Sequence, residues 1–293
     1  MLKRIILFSL GLALTATLSH AIVNASSPGG NLSAPTGKDG QPEDPGFASM
    51  VKVRGGAAAY LGNGWFLTPR HVSPSLIVID GKKLKREDVI DKTHAFKKAD
   101  LQLIHLKEAP NLPVAEIATT APTPGTEVIM IGAGITAVDH MTYWKVDQST
   151  RPWTWTEVSD PKEANMAGVL GHNPRQWEMS WGTNRILGEG DQPIPGQALV
   201  TDFSGDPAQQ TAYEAQATSQ DSGGCFFMKT EDGWKLCGMI VTVGRLYPNQ
   251  PGIYTTEGGE RVIGSGLFGN LTVAINLALY RDEIMAIVNG DTH

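Results

Sequence analysis

Three short segments of this 293-residue chain hold residue types that can carry out acyl transfer together. In Gly64-Trp65-Phe66-Leu67-Thr68-Pro69-Arg70-His71-Val72 an apolar run leads straight into a histidine. In Ala99-Asp100-Leu101-Gln102-Leu103-Ile104-His105-Leu106 an acid opens an apolar run. In Gln220-Asp221-Ser222-Gly223-Gly224 two glycines follow a serine, so the backbone can bend tightly and present both the hydroxyl and nearby amides. A serine hydroxyl is a poor nucleophile until a base takes its proton. Imidazole, with an ordinary pKa of about 6.5, suits that work at neutral pH, and a carboxylate holds the ring in the right tautomer. The developing oxyanion needs backbone donors, which the amides of Gln220 and Ser222 are placed to supply. The expected roles are Ser222 as nucleophile, His71 as base and Asp100 as orienting acid. Each residue alone has an ordinary reading, as a turn serine, a strand-end histidine or a capping aspartate, so the weight lies on the set.

The elements that must position these residues read as strands. Short apolar runs rich in Val, Ile and aromatics recur at Ala57 to Leu61, Trp65 to Thr68, Leu76 to Ile79, Leu101 to Leu106 and Glu127 to Ile131. Others follow at Leu199 to Thr201, Phe226 to Met228 and Leu236 to Val243, which predicts an all-β protein. Pro110 to Pro124, with four prolines, reads as a connection between two halves. The stretch 138–181 fits no strand rhythm and holds five of the seven tryptophans, so it reads as an insertion packed onto the body. Leu277, Leu279, Ile284, Ile287 and Val288 recur at helical spacing, predicting a terminal amphipathic helix over 277–289.

The outer segments and the bulk composition narrow the classes further. Lys3 and Arg4, the apolar Ile5 to Leu18 and Ser19-His20-Ala21 form a signal-peptide pattern over 1–21, with cleavage expected after Ala21 and a secreted or periplasmic destination. No other stretch could span a bilayer, so no membrane contact is expected after cleavage. Residues 22–46, rich in Ser, Gly, Pro and Asn, read as a flexible lead-in. A net charge of −6 argues against a nucleic-acid partner. Cys225 and Cys237 flank the turn-like Thr230-Glu231-Asp232-Gly233; they could pair across a hairpin or remain as two buried thiols. His94, His105, His140 and His172 lack metal-like spacing, and no metal or organic cofactor is expected. Gly132-Ala133-Gly134-Ile135-Thr136-Ala137 fits a dinucleotide-binding fingerprint, but the residues after it make a poor crossover helix, and a nucleotide site is rejected.

The three reactive segments occur in the order His, Asp, Ser, and with Gln220-Asp221-Ser222-Gly223-Gly224 they resemble the chymotrypsin/trypsin-like serine protease family in a bacterial-style exported form. Gly125 to Gly134 resembles the strand that opens that family's second barrel, and Ile240-Val241-Thr242-Val243-Gly244 the strand beside a bound substrate. The resemblance implies two antiparallel six-stranded β-barrels packed together, with the triad in the cleft between them. Barrel 1 would run over about 47–115 and barrel 2 over about 125–276, the latter carrying the insertion and closed by the helix. It implies an endopeptidase acting on a peptide or protein substrate. Thr242 would help hold Asp100, the backbone of Thr242, Val243 and Gly244 would pair with the peptide, and Gln216 would lie at the base of the primary pocket. Of two similar segments, Gly264 to Phe268 is expected to form that pocket's other wall rather than Pro251 to Thr255.

Several residues depart from the family pattern. Pro69-Arg70 precedes the histidine, no cysteine follows it, and Gln220 stands where a glycine is usual, which strains the backbone if φ is positive there. In the family a new Ile-Val amino terminus pairs with the aspartate before the serine. Here Asp221 and Ile22-Val23 match, but the lead-in composition favours an internal cation or backbone hydrogen bonds for Asp221. A catalytically silent homologue that binds peptides or protein partners is the alternative reading. Nothing in the sequence sets an oligomeric state.

Overall fold

The computed structural model describes residues 22–25, 31–136, 140–170, 173–187, 197–244, 247–251, 253–255, 261–263 and 265–290. The signal segment 1–21 lies outside them. Among the described residues no helix is long and apolar enough to cross a membrane.

The protein is mostly β, built on two curled half-barrel sheets with one C-terminal helix. The first sheet has seven strands in the order Lys82–Lys85, Leu76–Ile79, Met50–Val53, Gly56–Gly62, Trp65–Thr68, Gln102–Leu106, Ile90–Ala95, all antiparallel. The second has six, in the order Ser180–Arg185, Glu127–Gly132, Cys225–Thr230, Gly233–Gly244, Leu271–Asn276, Ala198–Asp202. The expected pair of closed six-stranded barrels thus meets a seven-stranded and a six-stranded sheet, each with two unpaired ends in its strand order. The Lys-rich strand Lys82–Lys85 was not anticipated; its exposed lysines suit a sheet edge, where charge discourages further pairing.

Alternation along the strands explains the curl. In the second sheet Val128 and Met130 point into one cluster with Phe226, Met228, Ile240 and Ala274, while Ile129, Ile131, Phe227 and Met239 point into another. In the first sheet Ala58, Tyr60, Phe66 and Ile104 line the sheet's own interior, and Ala57, Ala59, Leu67 and Leu103 face the other sheet. Central strands are therefore buried on both faces: one side fills the curled sheet, the other fills the layer between sheets. Each fully buried Leu, Ile or Phe stabilises the fold by about 1.5–3 kcal/mol, and this shared layer joins the two halves.

Four expectations are corrected. Residues 138–181 are not without strand rhythm: Thr142, Trp144 and Val146 are buried in alternation along His140–Asp147, which pairs with Thr154–Val158 and Met166–Leu170. The pattern escaped notice because its inward set mixes a threonine and a tryptophan. The insertion also ends earlier than expected, since Ser180–Arg185 is an edge strand of the second sheet and Trp181 lies in the core. The helix runs only over Arg281–Asn289; Leu277–Leu279 is a 3-10 turn, and Leu279 points outward. The lead-in is packed at its start, with Ile22 and Val23 buried and Val23–Asn24 paired to Ala215–Gln216.

The two cysteines are free and buried. The expected hairpin exists, but a bulge between Phe226 and Phe227 puts Cys225 opposite Met239. Cys225 then faces the layer between sheets and Cys237 the second sheet's own cluster, so the thiols sit on opposite faces.

Candidate active site

Register brings the histidine and the acid together. Trp65–Thr68 pairs with Gln102–Leu106 so that Thr68 faces Gln102. The chain leaving the first strand toward His71 and the chain entering the second from Asp100 therefore meet at one end of the sheet. Asp100 Oδ1 accepts the His71 amide at 3.1 Å, and its Oδ2 lies 2.5 Å from His71 Nδ1. A carboxylate on Nδ1 keeps the proton there and leaves Nε2 as the acceptor. Nε2 lies 2.8 Å from Ser222 Oγ, which donates to it. The expected triad is thus assembled from both sheets.

Ser222 sits in the tight turn ahead of Cys225–Thr230, and its backbone is tied to both halves. Its carbonyl accepts the Ala57 amide of the first sheet at 2.9 Å, and the Gly223 amide donates to Ile240 of the second at 2.8 Å. Gly223 has φ +83°, and a Cβ there would stand 1.9 Å from the Ala57 carbonyl oxygen. No side chain fits without parting the sheets. Gly223→Ala is expected to cost about 3 kcal/mol or more of stability and at least about 100-fold in reactivity at Ser222, read by thermal melting and by active-site labelling.

The Gln220 backbone is in the left-handed region at φ +69°, so the condition under which a non-glycine residue is strained there is met. Among the described residues neither the Gln220 nor the Ser222 amide donates to a protein acceptor. Two unpaired N–H groups beside a serine hydroxyl are what an oxyanion needs.

Asp221 points the other way, into the protein, and is fully buried. Among the described residues no cation pairs with it. Its carboxylate accepts backbone amides from Thr218 at 2.7 Å, Gly134 at 2.8 Å and Ile22 at 3.3 Å, with the Thr218 hydroxyl at 3.2 Å. Burial outweighs those bonds and pushes its pKa up to about 7. The dinucleotide-like glycines belong to this arrangement: a Cβ on Gly132 would come within 2.3 Å of Asp221 Oδ1, and one on Gly134 within 2.7 Å. The chain continues from them as the short strand Ile135–Thr136, not as a helix.

The remaining expected residues are placed unevenly. Gln216 is fully buried opposite Val23, and among the described residues both of its side-chain amide atoms lack a hydrogen-bond partner. Gly266 abuts it, since a Cβ there would lie 2.8 Å from Gln216 Oε1, whereas Ile253–Thr255 pairs antiparallel with Arg261–Ile263. Val243 and Gly244 are half-buried at the end of their strand. Thr242 makes no hydrogen bond to Asp100; its hydroxyl donates to the Val243 carbonyl at 3.3 Å. The flank of Asp100 that Thr242 leaves uncovered borders an apolar cavity of about 160 Å³ lined by Val273, Ile275 and Tyr280, and the His71 and Asp100 side chains stay 46% and 36% exposed. Three tryptophans of the insertion pack on one another: Trp144, Trp153 and Trp155 cluster with Tyr247, and Trp155 Nε1 donates to the Pro248 carbonyl at 2.8 Å.

Sequence reasoning weighed the pairing of Ile22 with Asp221 and favoured an internal cation or backbone hydrogen bonds instead; it missed the glycine cradle around Asp221, and Gln102, whose signal was a polar residue opening an apolar run. No known protein-family model matches the chain, and no curated protein is similar to it.

Proposed function

We propose that the chain is an exported serine endopeptidase, a bacterial-style relative of the chymotrypsin/trypsin-like enzymes whose two sheets complete a pair of barrels. The observation that carries this reading is the chain of contacts from Ser222 Oγ to His71 Nε2 and from His71 Nδ1 to Asp100 Oδ2. Ser222 attacks the scissile carbonyl as His71 takes its proton. The Gln220 and Ser222 amides hold the oxyanion, and His71 returns the proton to the leaving amine. Water, activated by the same base, then hydrolyses the acyl-enzyme. Nucleophile, base and oxyanion donors all come from the chain, so the reaction calls for no metal or organic cofactor. A fluorophosphonate should label Ser222 in the processed protein and leave Ser222→Ala unlabelled. An unlabelled native protein would instead support the silent peptide-binding homologue.

Substrate choice follows from Gln216. A Lys or Arg side chain buried against a neutral amide would lose its hydration without gaining a counter-ion. Cleavage of a peptide library should therefore show no strong preference for Lys or Arg at the residue before the scissile bond. Efficient cleavage after Arg alone would overturn the assignment of Gln216 to the pocket base.

A further inference from the structure

The strand that follows Asp100 holds two polar residues, Gln102 and His105, and of these only Gln102 is buried. Gln102 is 8% exposed, flanked by the buried Leu101 and Leu103. Its Nε2 lies 2.9 Å from the Pro69 carbonyl oxygen, 3.4 Å from that of Arg70 and 2.8 Å from that of Val72. All three partners are acceptors, which identifies the atom as the amide nitrogen. They bracket His71 on both sides.

That loop has few other restraints. Pro69 has no amide proton, no cysteine follows His71, and the remaining backbone bonds are Val72 N–H to the Pro69 carbonyl and Arg70 N–H to the Asp100 carbonyl. His71 N–H goes to the Asp100 carboxylate. Among the described residues the Val72 carbonyl accepts no backbone amide, and Val72 is buried, where a carbonyl without a partner is disfavoured.

We propose that Gln102 is the positioning residue for the catalytic base: its side-chain amide gathers the carbonyls on either side of His71 and fixes where the imidazole stands between Asp100 and Ser222. The inference rests on the protease reading of the triad. Gln102 sits directly opposite Thr68 in the strand pairing and two residues after Asp100, so one short segment carries both the orienting acid and the donor that anchors the loop. Because the imidazole bridges groups from two sheets, a displacement of the loop by about 1 Å is enough to cost on the order of 100-fold in rate.

The test uses the full processed protein, with Gln102→Met, which keeps the length but cannot donate, and Gln102→Asn, which can donate but is one methylene too short. Both should fold, and both should lower kcat and the rate of fluorophosphonate labelling by about 10- to 100-fold with KM within about twofold. In a Ser222→Ala background the NMR signal of the His71 Nδ1 proton should broaden or move when Gln102→Met is added. A lowered melting temperature with labelling and kcat at the native rate would reduce Gln102 to a structural residue and overturn the proposal. In the unmutated protein the Gln102 side-chain amide protons should be protected from exchange; free exchange overturns it whatever the variants do. If the native protein itself is not labelled, the protease reading fails first and this inference falls with it.

Discussion

Ser222→Ala should lower peptidase turnover by roughly 10⁵- to 10⁶-fold, and His71→Ala by about as much, because the triad acts as a unit. The double variant should then be little worse than either single one. Neither change creates a large cavity: both side chains stand partly exposed at the junction of the sheets, so melting temperatures should stay close to the native value. Asp100→Asn should leave the contact to His71 in place but favour the wrong tautomer, at a cost of about 10⁴-fold. Steady-state cleavage of a peptide substrate by purified processed protein reads all of these. A Ser222→Ala protein that keeps most of its activity would remove the nucleophile from the proposal, and with it the acyl-enzyme.

A chain that begins with Met and two further residues ahead of Ile22 should lose about 100- to 1,000-fold of the activity of a chain that begins at Ile22. The reason lies in Asp221. It is buried, sits next to the nucleophile and accepts the Ile22 N–H, yet among the described residues no cation neutralises it. With residues attached ahead of Ile22, that N–H is an amide and the carboxyl is pushed up to about 7. Between the unfolded value of 3.8 and about 7, the folded chain then holds a proton that the unfolded chain has released. Ionising Asp221 therefore costs stability that grows as pH rises through that window. Cleavage after Ala21 would turn the same nitrogen into an ammonium 3.3 Å from the carboxylate, and breaking a buried pair of this kind costs about 3–5 kcal/mol. Two measurements check this. Activity of the two chains should differ by the stated factor, and the melting temperature of the extended chain should fall between pH 4 and 8 more steeply than that of the processed one. Equal activities and parallel pH profiles would show that the backbone bonds from Thr218 and Gly134 suffice.

Local chemistry and strand rhythm were legible in the sequence. Trp65 to Thr68 and Leu76 to Ile79 were read with the bounds the structure has, because apolar runs between Gly, Pro and charge leave the chain little else to form. The order of His71, Asp100 and Ser222, and the glycines after Ser222, pointed to one reaction before any fold was known. Gln220, standing where the resembled family has a glycine, raised the question of a strained backbone, and its φ is positive. Where the alternation ran through Thr142, Trp144 and Val146 the same reading failed, since an inward threonine hides the period.

What the sequence by itself determined was the inventory and its order: a base, an acid and a hydroxyl on short strands and turns, with donors beside the serine. Whether they meet depended on contacts between residues far apart in the chain. Ala57 N–H reaching the Ser222 carbonyl, the hairpin register that leaves Cys225 and Cys237 on opposite faces, and Ile22 arriving at Asp221 across 199 positions belong to tertiary structure alone. Composition marked 22–46 as a loose lead-in because it lacks apolar rhythm, but burial is decided residue by residue. Ile22 and Val23 bury two apolar side chains, Val23–Asn24 pairs with Ala215–Gln216, and no periodicity can register a segment that short. The pairing of a buried acid with a distant backbone nitrogen is a long-range electrostatic choice, made only when the folded core leaves that carboxylate no water.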